Sequence, residues 1–294
     1  MKQKYIKKIK DSLRLVRGLG YAGDSRQQLR SRQVEILKSI TKNQEFINRY
    51  PELLTCNENW VSLADKFDIA NEIKRYVDAS KTWANYPGAV SGLDRWVDSQ
   101  GHQWPNLHPI HQYVIDQYNA CKPKSVCEIG AGVGSVAKSI YAASQGTVQL
   151  TCVEGSEAYI TSMRENFTKE SKVILPQIDV KATIVKAIGQ NLPFTDKSFE
   201  FVYTCTVMMH QPFIAGVLMA CEMARVSSRY ILHVEGYHTM GIVQGFRNPQ
   251  NLFVPDYERL YRMLGFKTLK KIFFPYPYSS DFDGIVFLTE RDGQ

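Results

Sequence analysis

Two carboxylates in this chain stand at the ends of short apolar runs, and each lies next to glycine. The run SVCEIGAGVG (125–134) places Glu128 before glycines at 130, 132 and 134, and a predicted helix over 135–143 follows. Glycine lets the backbone turn sharply and approach a ligand closely, and a helix N-terminus presents free N–H groups. Glu154 ends a second apolar run, VQLTCV (148–153), and is followed by Gly155 and Ser156. This pattern indicates a binding site for a small polar ligand.

The spacing of the glycines and acids restricts the kind of ligand. The glycines follow a GxGxG pattern, whereas dinucleotide-binding turns use GxGxxG. Glu128 would repel a pyrophosphate but would stabilise an ammonium group or accept from a hydroxyl. Glu154 lies 20 residues after Gly134 at the end of the second predicted strand, where its carboxylate could accept from both hydroxyls of a ribose. The alternative is a tight strand-to-helix turn without a ligand.

Histidines follow the later apolar runs and are candidates for proton transfer. His210 comes four residues after Thr206, at the predicted start of a helix, and its alternative role is packing or capping there. His233 and Glu235 fall on the same side of a predicted fifth strand, and His238 comes just after it. This pair could hold a divalent metal or form a hydrogen-bonded pair, and we expect no metal.

The elements that position these residues change character along the chain. After Lys124, short β-rich runs alternate with helical patterns, which predicts βαβ units and a parallel sheet. Residues 1–104 are predicted to form a helical N-terminal extension, with a basic part (1–40) and a part that shapes the substrate site (41–104). Residues 1–40 hold eleven Lys or Arg and three acids, a balance of +8. Such a segment is typical of a solvated helix face or of a contact with a polyanion.

Composition restricts the class of protein. The chain has 294 residues, of which 44% are hydrophobic and 22% charged, values that are ordinary for a globular protein. No apolar run approaches the roughly 20 residues that a membrane span requires. The six cysteines are scattered without a CxxC pair, as buried thiols are in a reducing compartment, so we expect a cytoplasmic protein.

The ordered motifs together resemble the class I S-adenosylmethionine-dependent methyltransferases, in particular their small-molecule group. The segments that carry the resemblance are VCEIGAGVG (126–134), VEGS (153–156), LPFTDKSFEFV (192–202) and TVMMHQP (206–212). The resemblance implies an α/β fold with a Rossmann-like, seven-stranded, mostly parallel sheet and an antiparallel closing hairpin. The domain would span residues 105–294, and S-adenosylmethionine would be its cofactor.

The resemblance also implies roles for individual residues. The cofactor-binding set would be Glu128, Gly130, Ala131, Gly132, Gly134, Glu154, Gly155, Ser156, Ile188, Gly189 and Thr204. Ile188 stands where the family often has an adenine-binding acid, so adenine would be held by backbone and apolar contacts, with Gln190 as a possible substitute. His210 and His238 would be catalytic, and the lid or substrate residues would be Trp104, His108, Tyr113 and Tyr237.

The predicted reaction is methyl transfer from S-adenosylmethionine to an oxygen of a small molecule or of a sugar or glycan unit. The chain has no Asn-Pro-Pro-Tyr or Asp-Pro-Pro-Tyr motif of the kind that marks amino-methylating nucleic-acid enzymes. Two alternatives stay open. The basic N-terminus could serve methylation of RNA or another polyanion, or the fold could act as a non-catalytic cofactor-binding subunit.

Overall fold

A computed structural model describes residues 109–168, 179–211, 213–237, 257–276 and 283–293. The elements in the first half are α1 (Pro109–Cys121), β1 (Ser125–Ile129), α2 (Ser135–Ala143), β2 (Gln149–Glu154), α3 (Glu157–Phe167) and β3 (Ala182–Lys186). The second half contains β4 (Phe199–Cys205), a 3₁₀ turn (Met208–His210), α4 (Phe213–Val226), β5 (Ser227–Tyr237), α5 (Tyr257–Met263), β6 (Phe266–Pro275) and β7 (Asp283–Arg291). The basic N-terminal segment, Trp104, His108 and His238 lie outside these ranges.

The strands form one seven-stranded sheet in the order β3-β2-β1-β4-β5-β7-β6. The first five strands pair in parallel, and β7 pairs antiparallel with β5 and with β6. The predicted mostly parallel sheet with an antiparallel closing hairpin is therefore confirmed. The strand order reverses between β1 and β4, and in open α/β sheets ligands bind at the carboxyl ends of the strands beside such a reversal.

Apolar residues cover both faces of the middle of the sheet, so the parallel strands β1, β4 and β5 are buried nearly throughout, whereas no residue of the edge strand β3 is fully buried. One hydrophobic cluster joins the sheet to residues of α1, α2 and α3, and the other joins it to residues of α4 and α5. Because side chains alternate along a strand, neighbouring residues of one strand contribute to opposite clusters, as Tyr203 and Val202 do. This alternation decides which polar side chains meet inside the sheet.

The strand β6 forms one edge of the sheet and differs from the other strands. Seven of its ten residues in a row, from Lys267 to Phe273, are exposed. Its exposed apolar side chains, Leu269, Ile272 and Phe273, flank lysines at 270 and 271, and its pairing with β7 is irregular between Thr268 and Lys270. In the described part of the chain no further strand pairs with its outer side.

Candidate functional site

The turn after β1 is tied to the end of β2 by backbone hydrogen bonds. The N–H groups of Gly130 and Ala131 both donate to the Val153 carbonyl, at 2.9 and 3.0 Å. All three glycines of the motif have positive φ, at 72°, 56° and 79°, a region in which side chains are strained. The sequence therefore needs glycine here for conformation alone, before any ligand is considered.

The three glycines differ in what surrounds them. A Cβ on Gly130 would come within 2.7 Å of the Val207 side chain, and one on Gly134 within 2.5 Å of Phe167. A Cβ on Gly132 would meet no atom within 4 Å. Gly130 and Gly134 thus serve close packing of the protein, whereas Gly132 borders open space, as expected where a ligand approaches the backbone.

The Glu154 carboxylate organises the turn from the neighbouring strand. It accepts from the N–H groups of Gly132, Gly155 and Ser156, each at 2.8 Å. Partial burial raises the pKa of this carboxyl, and the three N–H donors oppose that rise. Glu154 lies at the end of β2, where the sequence placed it, and it connects two turns that are about twenty residues apart along the chain.

Glu128 is buried at the end of β1, with 2% of its surface exposed. Its Oε2 atom makes no well-formed hydrogen bond among the described residues, although the Tyr203 hydroxyl and the Ala137 N–H lie near enough to the carboxyl to lower its pKa. Burial raises the pKa of Glu128 to about 8, and the nearby Glu154 charge adds a smaller rise. A buried oxygen without a partner is costly, so this atom is suited to accept from a ligand cation or hydroxyl.

Residues after β3 border the same end of the sheet. Ile188 lies against Gly155, since a Cβ on that glycine would be 3.7 Å from the Ile188 Cγ2 atom. Gly189 is packed between Ile129 and Met219, with no room for a side chain. The Gln190 Nε2 donates to Gln211 and to the Ala215 carbonyl, at 2.9 and 3.3 Å, so this side chain is already engaged within the protein.

Beyond β4, the chain enters a strained turn that returns toward the glycine motif. Thr206 has φ 56°, an unusual value for a β-branched residue, and its N–H donates to the Val234 carbonyl at 2.9 Å. Val207 then packs on Gly130. His210 ends the 3₁₀ turn rather than starting a helix, because α4 begins only at Phe213. Burial lowers the pKa of His210 to about 4, so the imidazole is neutral near pH 7.

A closed group of polar side chains lies under this turn. The Thr204 Oγ1 donates to the Glu235 Oε1 and lies 2.7 Å from each of Glu235 Oε1 and His233 Nδ1. The His233 Nε2 lies 2.6 Å from the Tyr261 hydroxyl. Thr204, His233, Glu235 and Tyr261 have no exposed surface. His233 and Glu235 thus share a face as predicted, and each is hydrogen-bonded to Thr204 and not to the other. No group of three or more His, Cys, Asp or Glu side chains that could hold a metal ion occurs among the described residues.

The structure brings most of the predicted site residues to one end of the sheet and separates others. The Thr204 hydroxyl is directed to Glu235, so a cofactor contact by Thr204 stays a prediction that its side chain does not support. Tyr113 packs on Phe274, with ring centroids 4.3 Å apart, and Tyr237 lies 5.3 Å from Phe273. Both stay predictions as substrate residues, at the side of β5, β7 and β6. Val207 is a functional residue that no pattern in the sequence indicated, although its contact with Gly130 joins the two halves of the site.

Comparison with known proteins agrees with this geometry. Residues 127–229 match the family model described as a methyltransferase domain, and this segment includes the glycine turn, Glu154 and the turn after β4. This segment of the chain is therefore similar to a methyltransferase domain, and it contains the residues that form the candidate site. No curated protein sequence matches the chain. Among the described residues, no helix has the length and apolar character of a membrane span.

Solved structures share the fold at low sequence identity. Magnesium protoporphyrin IX methyltransferase from Synechocystis PCC 6803, solved with bound S-adenosylmethionine, aligns over 74% of this chain and 97% of its own, at 11% identity and a TM-score of 0.52. The 1,6-didemethyltoxoflavin-N1-methyltransferase from Burkholderia thailandensis aligns over 76% of this chain and 86% of its own, at 13% identity and a TM-score of 0.48. At these identities the first similarity establishes the fold alone, and the second adds no argument.

Proposed function

We propose that this chain is a methyltransferase that moves the methyl group of S-adenosylmethionine to an oxygen of a small molecule or of a sugar or glycan unit. The observation that carries the proposal is the arrangement of Glu128, Gly132 and Glu154 at the reversal of strand order. A buried carboxyl with a free oxygen, an open glycine and a carboxylate on a turn lie together there. These groups match the ammonium, the carboxylate and the ribose hydroxyls of that cofactor.

The residues present therefore fit the cofactor group by group. Glu128 would accept from its ammonium, the backbone N–H groups at the start of α2 would receive its carboxylate, and Glu154 would accept from its ribose hydroxyls. Ile188 and Gly155 offer an apolar wall and a bare backbone for the adenine ring. When bound, the cofactor supplies an electrophilic methyl group on a positively charged sulfur.

The remaining chemistry is alignment of the acceptor and removal of its proton. An in-line displacement requires that the acceptor oxygen is held at a fixed angle and that water is kept out. We propose His210 as the group that takes the acceptor proton, because it is neutral near pH 7 and sits on the turn that touches the glycine motif.

The part of the chain outside the described ranges completes the proposal. Residues 1–104, with Trp104, and the following His108 would shape the acceptor pocket together with Tyr113, Tyr237 and His238. Within one fold the acceptor is set by such additions, whereas the shared core supplies the cofactor site. The acceptor class therefore has to be identified by assaying the reaction of this protein itself.

The test is transfer of labelled methyl groups. Purified full-length protein and methyl-labelled S-adenosylmethionine would be incubated with a host extract separated into nucleic acid, protein, lipid, glycan and small-molecule pools. We expect label in the small-molecule or glycan pool, and a His210→Ala variant should lose at least tenfold in rate while cofactor affinity stays within threefold. Label in nucleic acid would instead support an RNA or polyanion acceptor. No label in any pool, with cofactor binding intact, would refute the proposed activity.

A further inference from the structure

A second buried carboxylate, Glu235 near the end of β5, has no ligand-facing oxygen. Its Oε1 accepts from Thr204, and its Oε2 accepts from the Met209 N–H at 3.3 Å. The N–H groups of Val207 and Met208 also lie close enough to lower its pKa by hydrogen bonding. Three consecutive backbone donors thus converge on one carboxylate, which is fully buried. Glu235 therefore contacts the 3₁₀ turn through its backbone.

The turn that Glu235 contacts needs external support. Thr206 precedes it with a positive φ, a strained conformation for a β-branched residue that persists only where the surroundings hold it. A 3₁₀ segment of three residues provides little stability of its own. Besides Glu235, the Met209 Sδ atom contributes by accepting from the Gly236 N–H at 3.2 Å and from the Tyr276 hydroxyl at 3.5 Å. The turn is thus fixed from below by the end of β5.

Both the glycine motif of the cofactor site and the proposed base, His210, depend on where this turn lies. At its start, Val207 fills the space beside Gly130, so a shift of the turn moves the packing of the glycine motif. At its end, the turn carries His210. We propose that Glu235 is a positioning residue, whose buried carboxylate holds residues 207–210 so that His210 and the glycine motif keep a fixed relation. The catalytic meaning of this role rests on the proposed function, whereas the anchoring of the turn does not.

The titratable groups around Glu235 keep one protonation state near neutral pH, so the charge of this cluster changes only at Glu235. His233 has its pKa lowered to about 3 by burial, and His210 to about 4, so both are neutral above pH 5. Burial raises the pKa values of Cys205, Tyr257 and Tyr261 well above their usual values, so these groups stay protonated. Burial raises the pKa of Glu235 itself to about 7, and the hydrogen bonds that it accepts oppose the rise. Glu128 titrates on the opposite face of the sheet, the face that Tyr203 shares.

The direction of the pH effect follows from these values. The charged carboxylate is the form that binds three N–H donors, and it predominates above pH 7. Below that pH the protonated carboxyl is a weaker acceptor, and the turn should open more often. Protection of the amides of residues 207–209 against hydrogen exchange, corrected for intrinsic rates, should therefore rise with pH through about 7.

The experiment is hydrogen exchange of the full chain, read by mass spectrometry between pH 5.5 and 8.5, for the wild type, Glu235→Gln and Glu222→Gln. Glu222 is the matched control, because it is an equally buried carboxylate that binds Arg225 and the Leu192 N–H, away from the turn. We expect Glu235→Gln to raise exchange of residues 206–210 at least tenfold at pH 8 and to remove its dependence on pH. Glu222→Gln should leave this segment unchanged and loosen residues 190–196 instead.

A milder variant protects the test against misfolding. Thr204→Val removes one donor to Glu235 with little change in volume, so it should raise the pKa of Glu235 and shift the exchange profile to higher pH. Unchanged protection of residues 206–210 in a folded Glu235→Gln protein, or an unshifted profile in Thr204→Val, would overturn the proposal. Transfer of labelled methyl groups by the same variants then tests the catalytic meaning separately: full activity with a loosened turn would remove that part and leave the anchoring intact.

Discussion

The carboxyl ends of β1 and β5 each hold a buried glutamate, and the two differ in what their oxygens do. Glu128 has one oxygen that makes no well-formed hydrogen bond among the described residues, and the turn that follows it contains a glycine that borders open space. Both oxygens of Glu235 accept hydrogen bonds, and every polar neighbour on its side is engaged as well. The same side chain in similar burial thus serves two purposes: the open carboxylate is available to a ligand, and the closed one stabilises a shape.

Of the variants that test this comparison, the largest effect is expected for one at Glu154, which lies with Glu128 in the region open to a ligand. Glu154→Ala should weaken binding of S-adenosylmethionine by about 2–4 kcal/mol, because charge-assisted hydrogen bonds to the ribose hydroxyls and the support of two turns are lost. Isothermal titration would measure it. Glu157→Ala is the matched control, since Glu157 is a nearby acid that is exposed and ion-paired with Lys186. The affinity of this variant for S-adenosylmethionine should equal that of the wild type. Equal affinity of the Glu154 variant and the wild type would contradict the assignment.

The glycines divide in the same way as the glutamates. Gly134→Ala should lower the free energy of unfolding by about 2–3 kcal/mol, since the new methyl group would collide with Phe167 and Met163 at a positive φ. Gly132→Ala should cost only about 1 kcal/mol of stability, from backbone strain. Relative to its loss of stability, Gly132→Ala should weaken cofactor binding more than Gly134→Ala does. Chemical denaturation and titration of both variants would test this. Similar stability losses would show that Gly132 is also a packing glycine.

An open buried carboxyl also predicts a proton linked to binding. With its pKa near 8, Glu128 is mostly protonated at pH 7 in the empty site, and an ammonium ligand requires the charged form. Affinity for S-adenosylmethionine should therefore rise with pH between 6 and 7.5, by at most about tenfold per unit. Titrations in buffers of different ionisation enthalpy should detect one proton released, and none in Glu128→Gln. Release that persists in the variant would assign the proton to another group.

The raised pKa of Glu128 acts on stability as well, with a definite sign. Its folded-state pKa lies above the unfolded value, so its contribution to stability is complete at low pH and is lost as pH rises toward about 8. Glu128→Gln should therefore gain stability relative to the wild type as pH increases through that range. Thermal unfolding of both proteins at pH 5 and pH 8.5 would show the difference, and a constant gap would contradict the burial argument.

The smallest effect is expected at Tyr261, the residue farthest from Glu235 in the closed hydrogen-bonded group. Tyr261→Phe removes the hydroxyl that lies 2.6 Å from the His233 Nε2, and this hydroxyl is three hydrogen bonds away from Glu235, through His233 and Thr204. We expect a loss of about 1 kcal/mol in the free energy of unfolding, with cofactor affinity within twofold. Denaturant unfolding and isothermal titration would measure both quantities. A change in affinity larger than the change in stability would show that the closed group extends to the ligand.

Much of the fold was predictable because local signals agree with it. The helix after the glycine turn and the placement of Glu154 at a strand end follow from glycines and apolar periodicity, and the closing hairpin follows from the resemblance to the methyltransferase family. What sequence could not provide is which residues meet across the sheet. The contact between Val207 and Gly130, the donors around Glu154 and the link from Thr204 to Glu235 depend on strand register between segments far apart in the chain.

The state of His210 shows a second limit of the same kind. Its residue type and its position after β4 made it a candidate base. An exposed imidazole ordinarily has a pKa near neutral pH. Its lowered pKa follows from burial, which depends on the segments that cover it. Its place in a 3₁₀ turn instead of a helix start also depends on anchoring by Glu235, which no local pattern announces.

The edge strand β6 has a consequence for the protein at high concentration. Within the described ranges the outer edge of β6 is unpaired and exposes Leu269, Ile272 and Phe273, and such an edge can act as a template for pairing with another chain. The irregular pairing at Thr268 and the lysines at 270 and 271 work against this, since two such edges would bring like charges together. Colloidal behaviour of this protein should therefore depend on two lysine side chains that are remote from its chemistry.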